Sequence, residues 1–165
     1  MTIPVETTLP SEGKGTTLWI LKADSDRSAA VLAPSNDSLF DRIGHIVDFQ
    51  GPSMSKDVTS DSYIDSEDGY TDKAGGDIDP GQIKFTVAYK PGDAVQRRIY
   101  DKFNSSGAEE YGLFRSKHPS GAINLYYGVI SGISSPSKAE KGKLKREITV
   151  DLSGKQDLAE DLQVA

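Results

Sequence analysis

No cysteine occurs among the 165 residues, and that absence removes disulfides, thiolate nucleophiles and cysteine-based zinc sites together. The fold must rest on packing. Histidine is nearly as scarce, with two residues, and no Gly-x-Ser-x-Gly elbow accompanies His45 or His118, so a serine hydrolase triad lacks its parts. His118 precedes Pro119 in a predicted turn, and His45 sits among apolar residues of a predicted strand. Two isolated imidazoles make a weak metal site. Long apolar runs are missing as well. No stretch reaches the length of a membrane span, and residues 1–10 lack a basic n-region and a continuous apolar h-region, so neither membrane anchoring nor a signal peptide is expected.

Positive charge is in deficit. With 19 Lys and Arg against 25 Asp and Glu, the net charge is −6, the wrong sign for a protein that holds nucleic acid by neutralising phosphates. The run from Gly13 to Thr16 lacks the glycine spacing of a phosphate loop. Acidic residues around Gly69 miss the EF-hand positions, since Ile64 stands where the first calcium ligand belongs. A glycosidase needs two rigidly held carboxylates, and here the carboxylates crowd into one predicted loop. No enzyme, cofactor or metal is expected.

What remains is a β-rich pattern of a length suited to one domain. Residues 1–15, broken by Pro4, Pro10, Gly13 and Gly15, read as a flexible arm. In TTLWILK (Thr16–Lys22), Leu18 and Ile20 alternate with Trp19 and Leu21, so both faces of a strand are expected to be buried. A second strand carries Ile43, Val47 and Phe49 with His45 between them. Ile83, Phe85, Val87 and Tyr89 then alternate cleanly. One amphipathic helix starts at Asp93 as N-cap, with Gln96 at its third position and a core face of Val95, Ile99 and Phe103. Residues near Tyr111–Leu113 and Ile123–Ile133 predict a hairpin turned at Pro119, Ser120 and Gly121. A last strand alternates Arg146, Ile148, Val150 and Leu152 with polar residues.

Between the second and third of these strands, residues 57–81 hold Asp57, Asp61, Asp65, Glu67, Asp68, Asp72, Asp77 and Asp79 against one base, Lys73, with Tyr63 and Tyr70 among them. The stretch is too long for a simple connection. Ordering it costs about 1–2 kcal/mol per residue in backbone entropy, so the segment is expected to stay mobile in the isolated subunit. Residues 155–165 read as a flexible acidic tail, in which Leu158 and Leu162 could form one helical turn. The reading is therefore a mostly β domain over 16–154, a β-sandwich or open β-barrel with one flanking α-helix.

Three segments taken in order carry a family resemblance: GKGTTLWILK at Gly13–Lys22, DSYIDSEDGYTDKAGGDIDPGQIKFTVAYKPGD at Asp61–Asp93, and the terminal strand. Together they resemble the major tail tube protein of lambda-like phages with long, non-contractile tails. The lambda prototype carries an additional C-terminal immunoglobulin-like domain that this sequence does not match, so that domain's function is not carried over. The resemblance implies a structural virion protein that self-assembles into stacked homohexameric rings, made in the bacterial host cytoplasm. The rings form a tube through which viral DNA passes without specific binding. It implies tail-tip initiator, tape measure and tail terminator proteins as partners, and makes the 57–81 segment the candidate inter-subunit contact. An adaptor or terminator of the same fold that caps a tube is the alternative.

Overall fold

The computed structural model describes residues 15–64, 67–136, 144–156 and 158–163, the last as backbone only. In chain order the elements are β1 (Thr17–Leu21), α1 (Arg27–Leu32), a 3-10 turn (Asp37–Leu39), β2 (Phe40–Ile43), β3 (Ile46–Gln50), β4 (Ser55–Asp61) and β5 (Asp72–Asp79). There follow β6 (Gln82–Ala88), α2 (Ala94–Phe103), a second 3-10 turn (Gly107–Glu110), β7 (Tyr111–Lys117), β8 (Ala122–Ile133), β9 (Lys145–Leu152) and β10 (Leu158–Gln163).

The main sheet has the order β2-β1-β7-β8-β9-β6-β3, with β10 added on β8, and every pairing is antiparallel. The sheet curls on itself. Phe85 of β6 and Phe114 of β7 lie three strand spacings apart along the sheet, about 14 Å if it were flat, yet their ring centroids are 5.9 Å apart. Phe49 of the edge strand β3 likewise reaches Tyr126 of β8 at 6.1 Å. The two edge strands, β2 and β3, are consecutive in the chain and joined only by Gly44 and His45. The barrel is thus nearly rolled up and left open along that seam.

This junction corrects the sequence reading, which ran one strand through Ile43, Val47 and Phe49. His45 adopts φ 59°, a left-handed conformation that ends one strand and starts another on the opposite edge. Its carbonyl accepts from Ala88 N at 2.9 Å.

The alternation in β1 appears as two cores. Leu18 and Ile20 join Ile43, Ile83, Phe85, Val87, Ile99, Phe114, Ile148 and Val150 inside the curl. Trp19 and Leu21 face outward onto a smaller cluster of Ala30, Phe40, Leu113 and Leu125. That second face is covered by α1, a helix the sequence reading lacked because six residues are too few to show a period. Asp26 Oδ1 caps it, accepting from Ser28 N at 3.3 Å, and Pro34 lies just past its end.

Helix α2 begins as expected, with Asp93 Oδ1 accepting from Val95 N at 3.2 Å. Gln96 does not close a capping box. Its amide accepts from Lys90 N at 3.2 Å and donates to Ala88 O at 3.0 Å, tying the helix to the end of β6. Val95 and Ile99 meet the inner core, but Phe103 is 38 % exposed. Lys102, three residues after Ile99, takes the covered position instead, and its ammonium donates to the carbonyls of Glu109 and Tyr111 at 3.1 and 3.0 Å. Burial and the nearby charge of Arg98 push its pKa down. Arg98 binds Asp41 Oδ2 at 2.6 Å and Leu21 O at 3.0 Å, fixing the helix to β2 and β1.

Tail residues expected to form at most a helical turn form β10 instead. Leu158 pairs with Leu125 and Leu162 with Ile123, on the edge of β8 that β9 leaves uncovered. Between the two strands, Gln156 Oε1 accepts from Tyr127 N at 2.7 Å, a side chain supplying the missing ladder bond.

Candidate functional site

The expected acidic loop is largely a ribbon. Strands β4 and β5 pair antiparallel as a separate two-stranded sheet. From Gln50↔Lys84 to Ser55↔Asp79 each strand advances by five residues. The register therefore passes unchanged from β3–β6 into β4–β5, and the ribbon is an extension of that pair, interrupted at residues 51–54 and 80–81. Pro52 and Pro80 lack the N–H that ladder bonds require. Gly81 has φ 83°, and a Cβ there would lie 2.4 Å from Ser53 O, so only glycine fits the junction.

Every residue of β4 and β5 is exposed, and none belongs to either core. The strands span about 25 Å at ~3.3 Å per residue. Asp57 and Asp61 lie on β4; Asp72, Lys73, Asp77 and Asp79 lie on β5. Tyr63, Glu67, Asp68 and Tyr70 belong to the connecting apex, where Asp68 Oδ1 accepts from Tyr70 N at 3.1 Å. Asp65 lies outside the described residues.

Pairing sorts these side chains by face. Lys56↔Ile78, Val58↔Gly75 and Ser60↔Lys73 share one side, while Ser55↔Asp79, Thr59↔Ala74 and Asp61↔Asp72 share the other. Asp57 and Asp77 fall on the second side too, around a bulge at Gly76 whose Cβ would meet Asp57 Cβ at 3.4 Å. One face is thus acidic, and the other carries Val58, Ile78 and both lysines. Apolar side chains are left in water: Val58 is 61 % exposed, Tyr63 58 %, Ile64 107 % and Tyr70 78 %.

No catalytic assembly among the described residues competes with this surface. Among the described residues no group of three or more His, Asp or Glu side chains could hold a metal ion. His118 Nδ1 lies 3.1 Å from Thr16 Oγ1 at the base of the β7–β8 turn. The most buried charge, Arg115 of β7, is structural: its guanidinium donates to Pro34 O at 2.8 Å and to Asp37 Oδ1 at 2.6 Å, between the rings of Trp19 and Phe40. That hydrogen bond, ahead of the charges of Arg115 and Lys117, holds the Asp37 carboxyl below its ordinary pKa against the opposing effect of burial. Among the described residues no helix is long and apolar enough to cross a membrane.

The family described as lambda phage tail tube protein matches residues 19–159. Among solved structures, the tail of an empty gene transfer agent particle with C6 symmetry is similar at TM-score 0.60 and 15 % identity, covering 90 % of this chain and 98 % of the other. The sheath/tube terminator of an extracellular contractile injection system matches at TM-score 0.59 and 16 % identity, covering 91 % and 96 %. The SPP1 tail tube matches at TM-score 0.56 and 14 % identity, covering 89 % and 78 %. At such identities these likenesses speak for the fold alone. A search of curated proteins finds no match.

Proposed function

The chain belongs to the lambda phage tail tube protein family, structural components of the virion and not enzymes, and on that premise we propose that it forms hexameric rings that stack into the tail tube. The observation carrying this reading is the β4–β5 ribbon, which is fully exposed and packs on neither core of its own subunit. A two-stranded sheet alone is marginal in water, and an apolar and acidic ribbon of this length gains stability by docking on a second copy. The ribbon residues named above, with the arm and β10, are the proposed contacts within and between rings.

The net charge of −6 suits a bore that repels phosphate, through which DNA slides without specific binding during ejection. Assembly proceeds in the host cytoplasm, templated by a tail-tip initiator, measured by a tape measure protein and closed by a terminator. The likeness to a sheath/tube terminator favours one other reading, a protein of the same fold that caps a tube. Electron microscopy of concentrated purified protein separates the two. Stacked rings growing into tubes are expected; a single ring or small oligomer that never stacks overturns the tube reading.

A further inference from the structure

The end of the barrel opposite the ribbon holds a cation, Arg146, with no carboxylate paired to it among the described residues. Arg146 of β9 occupies the row of Ile148, Val150 and Leu152 that faces the inner core, but at the last position, where the core opens. Its guanidinium carbon lies 5.2 Å from the centroid of the Tyr89 ring and 5.7 Å from that of Tyr100. Its Nε is buried without a hydrogen-bond partner among the described residues. A charged guanidinium with no carboxylate among the described residues is stabilised by one that reaches it from outside.

Arg146 lines an open cleft of about 400 Å³ with Tyr89, Lys90, Arg97 and Tyr100. The carboxylate beside them, Asp93, is engaged in capping α2, and Arg97 is paired with Asp101 at 3.3 Å. Three cations, Lys90, Arg97 and Arg146, thus face two carboxylates, Asp93 and Asp101, among the described residues, and the cleft keeps a positive surplus. Meanwhile the acidic ribbon face sets Asp61 directly opposite Asp72 at its outer end, with Asp57, Asp77 and Asp79 further along the same face toward the barrel.

The two surfaces lie at opposite poles. Strand β6 runs from Gln82 at the ribbon junction to Ala88, and Arg146 pairs with Val87 at the far end, about 20 Å away at ~3.3 Å per residue. A surface at one pole that complements a surface at the other makes a head-to-tail contact, the kind that propagates a filament.

Resting on the reading of the ribbon as an inter-subunit contact, we propose that the Arg146–Lys90 cleft, walled by Tyr89 and Tyr100, is the receptor for the acidic ribbon face of a second copy stacked on it. The carboxylates would supply the acceptors that Arg146 lacks, and the tyrosine rings would hold its guanidinium flat for them.

The test compares tube formation, by sedimentation and electron microscopy of the full chain, for wild type, Arg146→Gln, Lys90→Glu and a chain lacking residues 60–78. The cleft variants should need roughly tenfold or more protein to assemble, the scale of one lost charge-assisted hydrogen bond. Lys90 is exposed and outside both cores, so Lys90→Glu decides the matter should Arg146→Gln melt early. Because the chain has no cysteine, Lys90→Cys combined with Asp61→Cys or Asp72→Cys gives a clean second readout, with covalent ladders expected on adding a short bismaleimide. Cleft variants that assemble at the wild-type concentration, or tubes with no ladder from either cysteine pair, overturn the receptor assignment while the ribbon reading stands. Normal tubes from the chain lacking residues 60–78 overturn the ribbon reading itself.

Discussion

Asp61 and Asp72 sit directly across from each other at the outer end of the ribbon, two carboxylates as cross-strand partners on its acidic face. Like charges in that position weaken a strand pair by roughly 0.2–1 kcal/mol. The ribbon is therefore unfavourable by itself at the place where it projects furthest, as expected of a surface built for a partner's cations.

Asp61→Lys should consequently have opposite effects on two measurements. Ribbon formation in the free subunit improves, visible as slower amide exchange at residues 55–79, while tube assembly falls. Improvement in both would mean that the acidic pair has no partner outside its own chain.

Gly81→Ala tests whether the junction must hold its geometry. The φ of 83° and the 2.4 Å approach to Ser53 O make alanine strained there, at a cost of about 1–3 kcal/mol. Faster exchange in the ribbon and weaker assembly are expected, with the core transition in a thermal melt shifted by only a few degrees. Unchanged exchange would contradict the rigid junction.

The Arg115–Asp37 contact ties the 3-10 turn to β7 and should show in the pH dependence of stability. Because the Asp37 carboxyl is held below its ordinary value when folded, its contribution is fully present above the unfolded carboxylate pKa and is lost as pH falls through the folded one. Asp37 is half-exposed, so the effect is modest: Asp37→Asn should cost about 1–2 kcal/mol at pH 7. The gap between variant and wild type, followed by urea unfolding, should close on acidification below pH ~4. A gap independent of pH would assign the loss to packing.

Legibility in the sequence followed burial. Strand β6, with Ile83, Phe85 and Val87 inside, could be read because one face is wet and the other dry. The β7–β8 hairpin could be read from its turn, where Gly121 N donates to His118 O at 2.9 Å. The ribbon strands were missed because both faces are exposed, so their period of two appears as acid alternating with lysine, valine and isoleucine. The relevant pattern was Lys56 and Val58 against Asp57 and Asp61. Strand β10 depends on a partner thirty residues or more away, which local composition cannot supply. Phe103 has helical spacing from Ile99, but the covered stripe of α2 continues through Lys102. Arg146 was legible as a member of the buried row; that its place is the open end of the core required the three-dimensional fold.

The most direct test of the ribbon as the inter-subunit contact is removal of residues 60–78 from the otherwise complete chain. Neither core loses a residue, so a folded protein with a near-native thermal transition is predicted, and electron microscopy at concentrations where the wild type forms tubes should show none. Normal tubes from that variant would contradict the account.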